Sequence, residues 1–305
     1  MGKYDIKQSH KPKNFLDMFV PQEVSFDNAQ AVVIPFGYEG TVTFGRGTAS
    51  GPKALIEASW QVESFDEQLL DDIQNQVKIW TAPQPAMPKD ALEACKVLRD
   101  AVLDVINAQK LPVVIGGEHS ISYGFVQALA AEYGDFSIVV FDSHLDLGDR
   151  YSGKDFTHAA WLKYSLEVKQ AKNATLFGIR NYNKAEWEYW KNNMNRVTVY
   201  EAKEKQTWNT TSFIDNLSDN VFISFDIDAF DPSIMPSTGT PEPGGLLWHD
   251  VLPIIKNIAS RKNIVGLDLV ELAPIKGMQA PDFMAAKLLM KMILYAIKAK
   301  DMSIH

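Results

Sequence analysis

Cysteine is almost absent: the one thiol in 305 residues, Cys95, rules out an internal disulfide framework and a cysteine-built zinc site. The residues around it, Ala91-Leu92-Glu93-Ala94-Cys95-Lys96-Val97-Leu98, read as a helix with Cys95 as a small core residue. Basic charge is also short, with 30 Lys and Arg against 38 Asp and Glu and a net charge of -8. That balance excludes nucleic acid as a main partner, which would need clustered Lys and Arg, and mildly favours a cationic small molecule. No apolar run reaches membrane-spanning length, so no membrane partner is expected. The opening Met1-Gly2-Lys3-Tyr4-Asp5 lacks the apolar stretch of a signal peptide, and the expected compartment is the cytoplasm. Internal repeats, low-complexity tracts and linkers rich in Pro, Gly and Ser are missing too.

What is present is an ordinary globular interior, 46% hydrophobic and 22% charged. Short β-rich runs occur at 31–35, 77–80, 111–115, 137–141, 175–179, 197–200, 221–225 and 264–269. Between most of them lie segments with helical spacing, among them 88–109, 121–132 and 249–259, while 285–298 is apolar around most of its circumference. Continuous apolar runs alternating with helices predict buried parallel strands joined by crossover helices. The expectation is an α/β fold: a single three-layer α/β/α domain over 31–305 with a mostly parallel sheet of about eight strands. Residues 1–30 are polar and irregular, and are expected to form an arm over the surface or over a neighbouring subunit. In such sheets ligands bind beyond the carboxyl ends of the strands.

Four of these strand ends carry chemistry. Run 111–115 leads into Gly116-Gly117-Glu118-His119-Ser120, and run 137–141 into Asp142-Ser143-His144-Leu145-Asp146. Run 221–225 leads into Asp226-Ile227-Asp228 and Asp231-Pro232, and run 264–269 into Val270-Glu271. Residues 142, 144 and 146 are spaced by two, so an extended chain points all three to one face. Without a cation they would repel one another. Four carboxylates with two imidazoles suit a fairly hard six-coordinate divalent ion better than a structural zinc. Six ligands are too many for one ion that also holds water, but suit two ions bridged by carboxylates, roughly 3.5–4 Å apart. Two such ions are neutralised by four Asp, so a cationic electrophile is not repelled. Gly45-Arg46-Gly47-Thr48-Ala49-Ser50-Gly51 has the wrong spacing for a dinucleotide loop and reads as a turn into a helix opened by Gly51-Pro52. Ser120 and Ser122 lack a nucleophile elbow and are expected to cap the helix after the glycine turn.

Taken together, these motifs resemble the signatures of the ureohydrolase family, which includes arginase, agmatinase and related amidinohydrolases. The likeness runs on through Gly239-Thr240-Pro241-Glu242-Pro243-Gly244-Gly245 and Gly266-Leu267-Asp268-Leu269-Val270-Glu271 and covers roughly 31–290. It implies a binuclear manganese centre, with Ni2+, Co2+ or Zn2+ as alternatives, held by His119, Asp142, His144, Asp146, Asp226 and Asp228. Hydroxide on that centre would attack a guanidinium carbon, releasing urea and an amine. By the same resemblance Asp146 hydrogen-bonds the hydroxide, Glu271 pairs with the guanidinium, and His158 moves protons to the leaving amine. The stretch 149–158 is more similar to the agmatinase loop than to the arginase one, which makes agmatine, cleaved to putrescine, the leading substrate. Glu118 is also agmatinase-like, whereas Gly148 and Ser143 depart from the usual agmatinase residues. Guanidinobutyrate, guanidinopropionate, guanidine and arginine remain alternatives, as do formiminoglutamase chemistry and a metal-stabilised interaction protein without activity. Relatives form trimers or hexamers, so a homo-oligomer is expected.

Overall fold

Strands buried on both faces need apolar side chains at every position, and Ala31-Val32-Val33-Ile34-Pro35-Phe36 supplies six in a row, all buried. The computed structural model describes residues 4–8, 14–17, 24–68, 70–149, 156–209 and 211–298. Its strands are β1 (Ala31–Phe36), β2 (Phe65–Asp66), β3 (Asp71–Asp72), β4 (Ile79–Thr81), β5 (Leu111–Gly116), β6 (Phe136–Phe141), β7 (Ala171–Ile179), β8 (Val197–Glu201), β9 (Asn220–Asp226) and β10 (Asn263–Val270). The α-helices are α1 (Gly51–Ser59), α2 (Ile73–Gln76), α3 (Ala91–Asn107), α4 (Ser122–Glu132), α5 (Trp161–Leu166), α6 (Lys184–Asn192), α7 (Trp248–Arg261) and α8 (Ala280–Lys298).

The main sheet has eight strands in the order β4-β1-β5-β10-β9-β6-β7-β8. Every pairing in it is parallel. All eight expected runs are strands of this sheet. Alternate residues feed two cores: Ala31 and Val33 pack with α1, α7 and α8 on one face. Val32, Ile34 and Phe36 pack with α3, α4 and α5 on the other. The three-layer expectation is met.

Three details differ. Helix α3 starts at Ala91 rather than 88, because the Asp90 side chain accepts a hydrogen bond from Glu93 N and fixes the cap there. Helix α8 starts at Ala280 rather than 285, with Pro281 in its first turn, where a missing N–H costs nothing. The antiparallel hairpin of β2 and β3 was not expected, since two-residue strands carry no periodicity. Within the first thirty residues, Ile6, Phe15 and Phe26 are buried. Phe15 N donates to Thr81 Oγ1 at 2.8 Å, and Trp80 Nε1 to Ile6 O at 3.1 Å, so the described pieces lie along β4 of their own chain.

The topology sets where a ligand can sit. Strands β5 and β6 follow each other in sequence but are separated by β10 and β9 in the sheet. Neighbouring strands β9 and β6 connect onward in opposite directions, β9 to β10 and β6 to β7, which opens a crevice above the central strands.

Candidate metal centre

Each of the four central strands delivers its ligand-type residue at its carboxyl end. Beyond β5 the chain passes so close to β1 that a Cβ on Gly117 would fall 2.0 Å from Tyr38 O. Only glycine fits there. Gly117 N donates to Phe36 O at 2.9 Å, Glu118 N to Tyr38 O at 2.8 Å, and His119 follows, fully buried.

His119 is fixed on three sides. Its N–H donates to Glu271 Oε1 at 2.7 Å, and its ring stacks on Trp161 with centroids 4.4 Å apart. Its Nε2 lies 2.8 Å from Ser224 Oγ, which donates to the buried Asp268 Oδ1 at 2.7 Å. The serine proton is thus committed to Asp268, so Nε2 carries hydrogen and Nδ1 faces the carboxylates. Nδ1 lies 3.2 Å from Asp142 Oδ2, 3.2 Å from Asp226 Oδ2 and 3.4 Å from Asp146 Oδ2.

Asp142, Asp226 and Asp228 follow one rule: one oxygen holds the protein, and the other is turned inward, whereas in Asp146 one oxygen does both. Asp142 Oδ1 accepts from His144 N at 2.6 Å, and Asp226 Oδ1 from Asp228 N at 2.8 Å. Asp228 Oδ1 accepts from Ser143 N at 2.9 Å, which leaves Oδ2 3.1 Å from His144 Nδ1. Asp146 Oδ2 accepts from Trp161 Nε1 at 2.9 Å. The segment from 142 to 146 is not simply extended. Asp146 has φ 49, a left-handed conformation, and Glu271 has φ 63. Such strain in non-glycine residues persists only where surrounding contacts over-determine it.

Two groups of potential ligand atoms result, His119 with Asp142 and Asp146, and Asp142 with His144 and Asp228. Within each group the atoms lie within 4.8 Å of one another, and Asp142 belongs to both. Asp226 stands beside the first group against His119. His119 Nδ1 and Asp142 Oδ2 are buried, yet neither has a hydrogen-bond partner, although they are 3.2 Å apart. Orphaned donors of this kind, in an oxygen- and imidazole-rich set, fit a divalent cation.

The electrostatics agree. Burial, and then the neighbouring Asp142 charge, push Asp146 well above the usual carboxylate range. Burial, and then Asp228 and Asp142, do the same to Asp226. For His119 burial works toward the neutral ring, but Asp142 and Asp226 outweigh it and raise its pKa well above the ordinary value. The cluster therefore competes for positive charge, and protons take that place when no metal does.

Glu271 and His158 line the same cavity of about 490 Å3, together with His119, His144, Asp146, Asp226 and Asp228. Burial, followed by the Glu118 charge, pushes Glu271 up to about 8. Burial lowers the His158 pKa. Asp142 is the one predicted site residue absent from the lining, being wholly buried beneath it. Of the stretch 149–158, residues 150–155 lie outside the described residues. A Cβ on Gly148 would meet Ala159 O at 2.9 Å, so the small residue suits the close approach of that backbone.

Some expectations need correction, and some residues were missed. Ser120 and Ser122 do not cap a helix: their hydroxyls donate to Glu118 Oε1 and Asp268 Oδ2, both at 2.6 Å. Asp268 carried a visible signal, a charge inside an apolar strand. Trp161 carried none. Arg180 also went unnoticed; its guanidinium donates to the carbonyls of Gly178, Asp228, Ala229, Phe230, Glu242 and Pro243, which fixes the turn bearing Asp228. Its direct neighbour in sequence, Asn181, lines the cavity.

The fold and site define a class: a parallel α/β protein with a carboxylate–imidazole cluster that could hold metal at its switch point. The chain belongs to the arginase family, whose model matches residues 29–295. It is 33% identical to an N(1)-aminopropylagmatine ureohydrolase of Synechocystis sp., covering 93% of this chain and 94% of that protein. It is 32% identical to an agmatinase of Pyrococcus horikoshii, covering 91% and 95%. The solved agmatine ureohydrolase of Thermoplasma volcanium matches with a TM-score of 0.83 at 26% identity, covering 96% of this chain and 97% of that one.

Proposed function

We propose that the chain hydrolyses a small cationic guanidino compound to urea and an amine, with agmatine giving putrescine as the leading substrate. The ions would be two divalent metals, manganese foremost, held by His119, Asp142, His144, Asp146, Asp226 and Asp228. The observation carrying this reading is the pair of ligand groups sharing Asp142, with orphaned buried atoms and with Glu271 in the same cavity. When bound, the ion pair supplies a strong nucleophile at neutral pH and offsets the clustered carboxylate charge.

The chain's own residues do the rest. Glu271 binds the guanidinium through two parallel hydrogen bonds, and that cation favours the ionised carboxylate which burial disfavours. Asp146, steadied by Trp161, accepts a hydrogen bond from the attacking water. His158 gives the departing nitrogen its proton.

The substrate's tail is read from charge. No Lys or Arg is among the described residues lining the cavity, whereas Asp149 and Glu186 are. A carboxylate tail, as in guanidinobutyrate, would find no Lys or Arg among them, and an amine tail would meet carboxylates. A second reading, N(1)-aminopropylagmatine with its longer cationic tail, is favoured by the Synechocystis relative and by the cavity's size. A homo-oligomer in the cytoplasm, trimeric or hexameric, belongs to the same reading and rests on family likeness. No helix among the described residues is long and apolar enough to cross a membrane.

Urea release from agmatine, N(1)-aminopropylagmatine, arginine, guanidinobutyrate and guanidine by manganese-loaded protein tests this. Release should be greatest with the two amine-tailed substrates. No urea from any of the five would refute the reading, and formamide or ammonia in its place would mark different C–N hydrolysis.

A further inference from the structure

Glu118 is wholly buried and lies away from the cavity lining, yet four hydrogen bonds converge on it. Oε2 accepts from Gly40 N at 2.7 Å and Thr41 N at 2.6 Å. Oε1 accepts from Ser120 Oγ at 2.6 Å and Thr41 Oγ1 at 2.5 Å. The Thr41 hydroxyl also meets His158 twice: it accepts from His158 N at 3.0 Å and lies 3.2 Å from His158 Nδ1.

A hydroxyl has one proton. The 2.5 Å contact with a carboxyl oxygen claims it, against 3.2 Å to the imidazole. The contact to Nδ1 is then favourable only if Nδ1 itself carries hydrogen and donates to Thr41 Oγ1. We infer that Glu118, acting through Thr41, holds His158 as the Nδ1–H tautomer, so that Nε2 is the nitrogen that exchanges the catalytic proton. Both are positioning residues for the histidine, an inference that rests on the guanidino-hydrolase reading above.

The proton balance follows. In the doubly protonated ring the Nε2–H bond breaks, its proton goes to the departing amine nitrogen, and the neutral Nδ1–H ring remains. Solvent then returns a proton to Nε2. Three separate segments build this arrangement: the turn after β1 brings Thr41, the exit of β5 brings Glu118, and the residues before α5 bring His158. A ring free to flip would present the wrong nitrogen for part of the time.

The test is the ring-nitrogen NMR spectrum of the 15N-histidine-labelled full chain, metal-stripped and loaded with diamagnetic zinc, with His158→Asn to assign the signal. Neutral His158 should be the Nδ1–H form in the wild-type chain and in Thr41→Ser. In Thr41→Val, which keeps the shape and loses the hydroxyl, the Nε2–H form should predominate. In manganese-loaded protein Thr41→Val should lower kcat about tenfold or more with KM little changed, and Thr41→Ser should restore it. An Nε2–H ring in the wild-type chain would overturn the inference, and that reading stands even if the valine variant fails to fold. An unchanged Nδ1–H ring in Thr41→Val would overturn it too. The spectrum needs no substrate, so failure of the guanidino reading would appear separately, as absent urea release with the tautomer intact.

Discussion

Two regions of this molecule bury charge, and they resolve it in opposite ways. Under helix α8, Lys291 is 1% exposed with its Nζ 2.6 Å from the wholly buried Asp66 and 2.7 Å from Glu67. That group closes on itself and ties the β2–β3 hairpin to α8, with Tyr295 donating to Gln68 beside it at 3.0 Å. At the carboxyl ends of β5, β6 and β9, four aspartates meet with two imidazoles, and His119 Nδ1 and Asp142 Oδ2 have no hydrogen-bond partner. A buried charge cluster balanced from within fastens the fold. One left open offers its atoms to an outside cation.

Opposite mutational signatures follow. The largest effect belongs to Asp146→Asn, which should lower urea release about a thousandfold or more, since it removes a ligand and a partner of the nucleophile. The same change should leave the melting temperature of metal-stripped protein equal or higher, because it relieves repulsion among buried carboxylates. A fall in Tm with turnover preserved would place Asp146 in the fastening class instead. Lys291→Met should do the reverse. Stripping Asp66 of its partner should cost about 3–5 kcal/mol in denaturant unfolding, while the folded fraction turns over substrate within about threefold of the wild-type chain. A stability change under about 1 kcal/mol would erase the contrast between the two regions.

A further effect is a pH slope. Glu271 has its pKa raised from 4.5 to about 8 in the folded, metal-free protein, chiefly by burial. Between those values the folded chain holds a proton that the unfolded chain has released. Its stability contribution is fully present below about pH 4.5 and is lost as pH rises through about 8. Metal-stripped Glu271→Gln should therefore lose less stability than the wild-type chain across that range when melting is followed against pH. Parallel curves would remove the assignment of a buried, proton-holding carboxyl.

The two regions also differ in how far the sequence reveals them. His119, Asp142, His144, Asp146, Asp226, Asp228 and Glu271 were legible because each follows an apolar strand directly, so local spacing and the parallel-sheet rule suffice. Lys291 was hidden inside a helix that reads as apolar, and its partners lie more than 220 residues away in sequence. What supports the site was equally hidden. The partners of Ser224, Trp161, Arg180 and Thr41 are supplied by other strand ends and loops, which no local pattern encodes. Ser120 and Ser122 show the error that results. Their position suggests caps, but the neighbouring Glu118 takes one hydroxyl and the distant Asp268 the other.

A pair of ions that completes the open cluster, and with it cleavage of a guanidinium, can be counted directly. Metal-stripped chain should be titrated with manganese while urea release from agmatine is followed. Activity should rise from baseline and level off at about two ions per chain. A plateau at one ion or fewer, or no urea at any loading, would contradict it.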